Sequence, residues 1–341
     1  MTILPSPHSG IRGRTILTGD RPTGQLHLGH YAGSLKARVD LQEHNEQFVL
    51  IADLQALTDN AGNPGKVRSS VRELVLDYLA VGIDPTKSRI IRQSRIPELA
   101  ELTMLYMNLV SVARLERNPT TKSEIEQRAF TGGVPSGFLC YPVSQAADIT
   151  AFDADLVPAG ADQAPILEIA NEIVERMNRA GGAGTLRRAE LMLSAGARLP
   201  GVDGRGKMSK SAGNAILLSD DEAAIRNKVM AMYTDPDHLR VSDPGRVEGN
   251  VVFAMLDAFD PDTAEVEALK QHYRAGGLGD MALKRRLEPI LQELIAPIRE
   301  RRAELALDPD VYHRVLDAST EIARERAGRV LGRVRAAFGL D

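Results

Sequence analysis

The sequence predicts a doubly wound, parallel α/β domain of the Rossmann-like kind, followed by a mostly helical C-terminal region. Three observations carry this. Short β-branched and apolar runs at residues 14–18, 47–52 and 89–92 are separated by stretches with helical periodicity. The order strand, helix, strand, helix, strand at these lengths belongs to parallel sheets with crossover helices. Beyond residue 207 the pattern turns almost wholly helical.

Taken in order, residues 14–18 read as a buried strand, after which Pro22 and Gly24 force a turn. From Leu26 onward Leu28, Tyr31, Leu35 and Val39 fall at helical spacing. The run 66–81 (Val67, Val71, Leu74, Tyr78, Leu79) is a helix closed by Gly82. Residues 97–116 read as one helix, and 120–137 as a polar, Gly-rich loop near the ligand-binding edge. A further long helix runs through Met177, with breakers at 179–184. Ser219-Asp-Asp-Glu222 has the form of a capping box opening a helix with Ile225, Val229 and Met232. Residues 281–305 and 311–338 are two long amphipathic helices. The expected organisation is a loose tail at 1–13, a Rossmann-like α/β domain at 14–206, and a helical domain at 207–341.

With 341 residues the chain is long enough for two domains. A hydrophobic share of 43% against 26% charged is that of a globular protein. The one cysteine, Cys140, excludes an internal disulfide framework and a cysteine-rich zinc site, and suits a reducing cytoplasm. No apolar run approaches the ~20 residues of a membrane span, and the N-terminus lacks a secretory core, so no membrane association is expected. A net charge of −4 gives no overall attraction to nucleic acid, so any RNA contact must use local basic patches such as 284–286, 299–302 and 324–335. Alone, these patches read better as the solvated faces of amphipathic helices.

The chemistry concentrates in Gly19-Asp-Arg-Pro-Thr-Gly-Gln-Leu-His-Leu-Gly-His-Tyr-Ala-Gly33. A strand, a glycine-containing turn and a helix start make a polyphosphate seat, because backbone N–H groups and the helix dipole face the anion. His27 and His30 lie three apart on one side of the first turn, and Gly29 between them lets a flat ring approach the backbone. This stretch resembles the His-x-Gly-His signature of class I aminoacyl-tRNA synthetases. That family's second signature stands verbatim about 180 residues later as Lys207-Met208-Ser209-Lys210-Ser211. The resemblance covers about residues 14–338 and is closest to the subgroup that activates tryptophan and tyrosine. Gly160-Ala-Asp-Gln163, with Glu168 and Asn178 after it, and Tyr273-Arg-Ala-Gly-Gly-Leu-Gly279, with Lys284 and Leu287, look like the bacterial tryptophan branch.

The resemblance implies ATP-dependent formation of an aminoacyl-adenylate and transfer to tRNA, tRNA(Trp) on the tryptophan reading. It implies His27, His30, Lys207 and Lys210 as catalytic residues. Arg21, Pro22, Thr23, Gly29, Gly160, Ala161, Asp162, Leu199, Met208, Ser209 and Ser211 complete the ATP site, Asp162 at the ribose and Leu199 at adenine. Magnesium would travel with ATP rather than sit in a protein cage. Tyr141, Gln145 and Asp148 recur at four and then three residues and share a helix face. Asp148 is expected to accept the indole N–H of L-tryptophan, and Tyr141, Gln145 and Gln163 to receive its ammonium group. Gln145 sits in a spacing also typical of tyrosine enzymes, where some tryptophan enzymes have methionine and others glutamine; Gln55 stands where many tryptophan enzymes have histidine, and Arg21 where glutamine is common. A homodimer through a helical insertion around 100–140 and an anticodon-recognition role for 207–341 are also implied. Three alternatives remain open: a tyrosyl-tRNA synthetase, since a phenol can also donate to Asp148; a paralogue serving as a binding partner with weak tRNA charging; and a generic nucleotidyltransferase. A further protein partner is left open.

Overall fold

The structure is a computed structural model and describes residues 8, 10–128, 130–193, 199–210 and 212–340. Among these, five strands form one all-parallel sheet: β1 (Thr15–Asp20), β2 (Glu46–Ile51), β3 (Ser88–Arg92), β4 (Leu156–Ala159) and β5 (Glu190–Leu193). Their order is β3-β2-β1-β4-β5, with Thr15 opposite Glu46 and Asp20 opposite Ile51 in the central pair. The helices are α1 (Leu28–His30), continued by a π-helical stretch Tyr31–Leu35 into α2 (Lys36–Leu41), then α3 (Asp53–Asn60) and α4 (Pro64–Val81). Next come α5 (Pro97–Met107), α6 (Val112–Glu116), α7 (Pro119–Arg128), α8 (Ser136–Ala151) and α9 (Ala164–Gly181). The remainder comprises α10 (Glu222–Met230), α11 (Val251–Phe259), α12 (Thr263–Ala275), α13 (Asp280–Ala306) and α14 (Val311–Ala337). No helix among the described residues is long and apolar enough to cross a membrane.

The chain divides into two compact units. One combines Met1–Gly24, Ala37–Ser194 and Pro309–Asp341; the other combines Gln25–Lys36 with Ala195–Asp308. These units do not follow a single cut at residue 207, because α14 packs in the first unit, against β3, α5, α8 and α9. The expected tail at 1–13 falls largely outside the described residues.

In the first unit the sheet is buried as a parallel sheet must be: Phe48, Val49 and Ile51 of β2 have no exposed surface. Asn63 accepts the Lys66 N–H at 3.2 Å to start α4, and Gly82 ends it with φ of 103°. Chain segments leaving the carboxyl edge of this sheet carry Arg21–Thr23 after β1, Asp53–Gln55 after β2, Gln93 after β3 and Gly160–Gln163 after β4. That edge is where ligands bind in open α/β sheets. Arg38 on α2 is 2% exposed and donates to Asp20 at 2.6 Å, while the Tyr78 hydroxyl donates to the same oxygen at 2.6 Å. In the second unit Leu283, Leu287, Leu291 and Ile295 line the buried side of α13, against which α10 and α11 pack.

Four local expectations fail, each for a physical reason. The single helix over 97–116 is two, α5 and α6, because Ser111 accepts the Arg114 N–H at 3.3 Å and starts a second helix, leaving Val112 exposed. The loop expected over 120–137 contains α7, which buried Asn118 opens by accepting the Thr121 N–H at 3.1 Å. Asp221, not Ser219, caps α10, accepting from Ala224 at 2.7 Å; the Ser219 hydroxyl donates to Gln25 instead. Strand β5 went unseen, being four residues long with its ends exposed.

Candidate active site

The second unit holds the two signature segments. Residues 26–28 pair in β fashion with 216–218: Leu28 N–H donates to Ile216 at 2.9 Å, Leu218 N–H to Leu26 at 3.0 Å, and His27 lies opposite Leu217. The helix therefore starts beside the chain that emerges from the Lys-Met-Ser-Lys segment. His27 caps the helix, its Nδ1 accepting the Gly29 N–H at 3.1 Å, while His30 Nδ1 accepts the His27 N–H at 3.3 Å. With both Nδ1 atoms acting as acceptors, hydrogen-bond geometry places the proton of each neutral ring on Nε2. The two rings lie 3.9 Å apart, centre to centre. Gly29 is required here: a Cβ would meet the His27 ring at 2.9 Å and Met208 Cβ at 3.7 Å.

The lysine segment is held by its backbone. Met208 N–H donates to Leu199 at 3.0 Å, and Gly201 N–H to Gly206 at 3.1 Å, with Pro200 opposite Lys207. Buried Asn214 accepts the Ser209 N–H at 2.8 Å and donates to Asp203 at 2.9 Å. Met208 and Leu199 are buried, Lys207 is exposed, and Lys210 is half-buried. Ser211 lies outside the described residues. Sequence reasoning missed Asn214 and Asp203; their only trace is the Gly-rich turn they span.

The first unit holds the remaining set. Tyr141, Gln145 and Asp148 share α8, Asp148 being 2% exposed. The Gln93 amide nitrogen donates to both Asp148 oxygens, at 2.9 and 3.0 Å, and Gln55 donates to one at 3.4 Å. Burial pushes the Asp148 carboxyl up to about 7, with repulsion from Asp53 adding to it and the Gln93 bond opposing it. Asp53, also buried, is bound by Arg92 at 2.6 Å and by the Ser94 N–H and hydroxyl at 2.9 and 2.6 Å. Gln145 donates to Gln163 at 3.3 Å, and Gln163 to Asp162 at 3.1 Å, so three of the predicted residues of this unit form a linked set on α8 and the turn after β4. A Cβ at Gly160 would meet Asp162 at 2.5 Å, so glycine there lets that carboxylate fold back over the backbone. Gly160 and Ala161 are exposed. Burial pushes the Tyr141 hydroxyl up to about 12, with Thr121, Glu124 and Arg21 as its neighbours. Arg21 approaches Glu124 at 3.9 Å; Pro22 is buried and Thr23 half-buried in the same turn. Glu168 is exposed beside Arg114, and Asn178 lies inside α9, bridging to Leu186 with bonds of 2.9 and 3.1 Å. The C-terminal signature forms the α12–α13 turn, where Tyr273 donates to Asp280 at 2.7 Å.

A parallel sheet with an open carboxyl edge, a histidine-bearing helix start and a lysine loop are the parts of an amino-acid-activating enzyme of the class I synthetase kind. The family model described as tRNA synthetases class I (W and Y) matches residues 12–296. The chain belongs to that family. Tryptophan–tRNA ligase of Clostridium longisporum is 56% identical over 331 residues, 96% of this chain and 97% of that protein. The Streptococcus pyogenes tryptophan–tRNA ligase is 54% identical over 333 residues, 96% and 98%. The crystal structure of tryptophanyl-tRNA synthetase from Campylobacter jejuni, complexed with ADP and tryptophan, has a TM-score of 0.82 at 30% identity, covering 96% of this chain and all of that one.

Proposed function

We propose that the chain activates L-tryptophan with ATP to tryptophanyl-adenylate and diphosphate, then transfers the aminoacyl group to tRNA(Trp). The observation that carries this is the backbone pairing of 26–28 with 216–218, which fixes the His27–Gly29–His30 helix start beside the lysine segment within one unit. Full-length similarity to tryptophan–tRNA ligases supports the choice of amino acid.

In the first step a tryptophan carboxylate oxygen attacks the α-phosphorus and the bond to the β-phosphate bridge breaks. The nucleophile is already ionised, so no general base is needed, and the rate comes from positioning and charge stabilisation. His27 and His30, through Nε2–H, and Thr23 hold phosphates; Lys207 and Lys210 neutralise the departing diphosphate. Magnesium belongs to the substrate, as Mg–ATP. Asp162 takes the ribose, with Gly160 and Ala161 lending backbone, and Leu199 with Met208 shapes the adenine side; Arg21, Pro22, Ser209 and Ser211 complete the nucleotide contacts. Asp148 accepts the indole N–H, and Tyr141, Gln145 and Gln163 receive the ammonium group. Helices α10–α13 read the anticodon.

Met104, Met107 and Val112, on α5 and α6, are 61%, 38% and 60% exposed, and this apolar face suits a second copy of the chain. The expected location is the cytoplasm. The test is pyrophosphate exchange into ATP with each amino acid in turn. Exchange driven by tryptophan supports the reading, tyrosine-driven exchange moves the chain to the sister activity, and no exchange sinks it.

A further inference from the structure

Among the described residues, Asp148 is held by amides alone. Its two oxygens accept from Gln93 at 2.9 and 3.0 Å and from Gln55 at 3.4 Å. Gln93 is itself 1% exposed, and its side-chain oxygen accepts the Gln55 backbone N–H at 3.1 Å. That last bond fixes which way the amide faces: the oxygen is spent on α3, so the NH2 must point at Asp148. Arg92 does not serve Asp148, because its guanidinium is engaged with Asp53 at 2.6 Å.

We propose that Gln93 is a positioning residue for amino-acid selection, holding Asp148 in the orientation and acceptor state that receives a donor-only indole N–H. This rests on the reading of Asp148 as the indole acceptor. A protonated Asp148 would offer a hydroxyl hydrogen where the indole also brings a hydrogen, a clash of two donors. Gln93 opposes that state, since an NH2 group favours the carboxylate it bonds and offers no lone pair to a carboxylic acid. An indole N–H has one hydrogen to give and nothing to receive, so a site of acceptors satisfies it fully. Other charged groups lie around α8, with Glu124 and Arg21 beside Tyr141. Glu98 and Glu101 of α5 face Arg324 and Arg335; Glu172 of α9 holds Arg114 of α6; Arg333 of α14 holds Asp153. Among the described residues, the charge that acts on Asp148 is that of Asp53 on α3, and it raises the carboxyl.

The experiment is tryptophan-dependent pyrophosphate exchange by the full chain between pH 5.5 and 8.5. It compares wild type with Gln93→Met, Gln93→Glu and Asp148→Asn, with melting curves recorded for each. In Gln93→Met the KM for tryptophan rises on the order of 10-fold at neutral pH, as for loss of one hydrogen bond to a charged group. Its kcat and KM for ATP stay within about 3-fold, and the inflection of the tryptophan KM moves to higher pH than in wild type. Gln93→Glu, close in shape but sharing a proton with Asp148, moves the inflection further in the same direction. Unchanged KM and unchanged inflection in the folded Gln93 variants overturn the proposal. So does an equal fall in kcat with every substrate, which would mark a merely structural residue. If Asp148→Asn keeps the wild-type KM, it is the indole reading of Asp148 that fails. Should Gln93→Met not fold, the Gln93→Glu profile decides.

Discussion

The region proposed for phosphate and the region proposed for the amino acid are built in opposite ways. Around His27 and Lys207 the scaffold is main chain: β-type bonds between 26–28 and 216–218, a histidine cap, and a loop pinned by Asn214, from which Lys207 stands exposed. Around Asp148 the scaffold is side chain: two glutamines, a buried carboxylate, and a second carboxylate with its arginine held apart. The contrast follows the ligands. A polyphosphate is recognised by charge and by N–H groups that any sequence supplies, whereas one amino acid among twenty needs particular side chains, buried so that a wrong partner leaves a polar group unpaired.

The comparison breaks first at the lysines. Lys210→Ala is expected to lower the exchange rate by on the order of 10²–10³ while tryptophan affinity, measured by equilibrium titration without ATP, stays put. An affinity loss of similar size would mean the regions are not separable. Asp148→Ala should do the converse, weakening tryptophan by on the order of 10- to 100-fold with the KM for ATP nearly unchanged. Asn214→Ala, which removes the acceptor of the Ser209 N–H and leaves Asp203 with the Arg205 N–H, should lower stability by ~1 kcal/mol in denaturant titration and raise the KM for ATP. The smallest effect sharpens the contrast through pH. Because the Asp148 carboxyl sits at about 7 in the fold, tryptophan affinity should climb as pH rises through 7 and then level off. Stability runs the other way: the folded value is raised, so this group's contribution is fully present below its unfolded value near 4 and is lost as pH rises through about 7. Asp148→Asn should flatten both curves.

How much of this was legible in the sequence follows the same division. The two signature segments were legible as motifs, because a main-chain seat needs contiguous residues and both signatures are short and continuous. On α8 the spacing of Tyr141, Gln145 and Asp148 revealed the face they share, since helical geometry ties four- and three-residue steps together. Gln93 escaped because its role depends on a contact 55 residues away that no periodicity records; its place just after β3, at the carboxyl edge, was the only pointer. Asn214 escaped likewise, as a small polar residue in a glycine-rich turn. In the fold, β5 and the break between α5 and α6 were lost to brevity: four residues carry no alternation, and one serine cap outweighs an apolar period.

The π-helical stretch Tyr31–Leu35 sets a rule about chain length. It accommodates a wider turn between the histidine signature and α2, after which Arg38 meets Asp20 and Tyr78 from its buried position. Deleting one residue from 31–35 would give back a regular α-helix with every backbone bond made, yet it would swing Arg38 about 100° around the axis, away from Asp20. The number of residues between His30 and Lys36, which sets the phase of α2, is therefore held more tightly than their kind, like a reading frame.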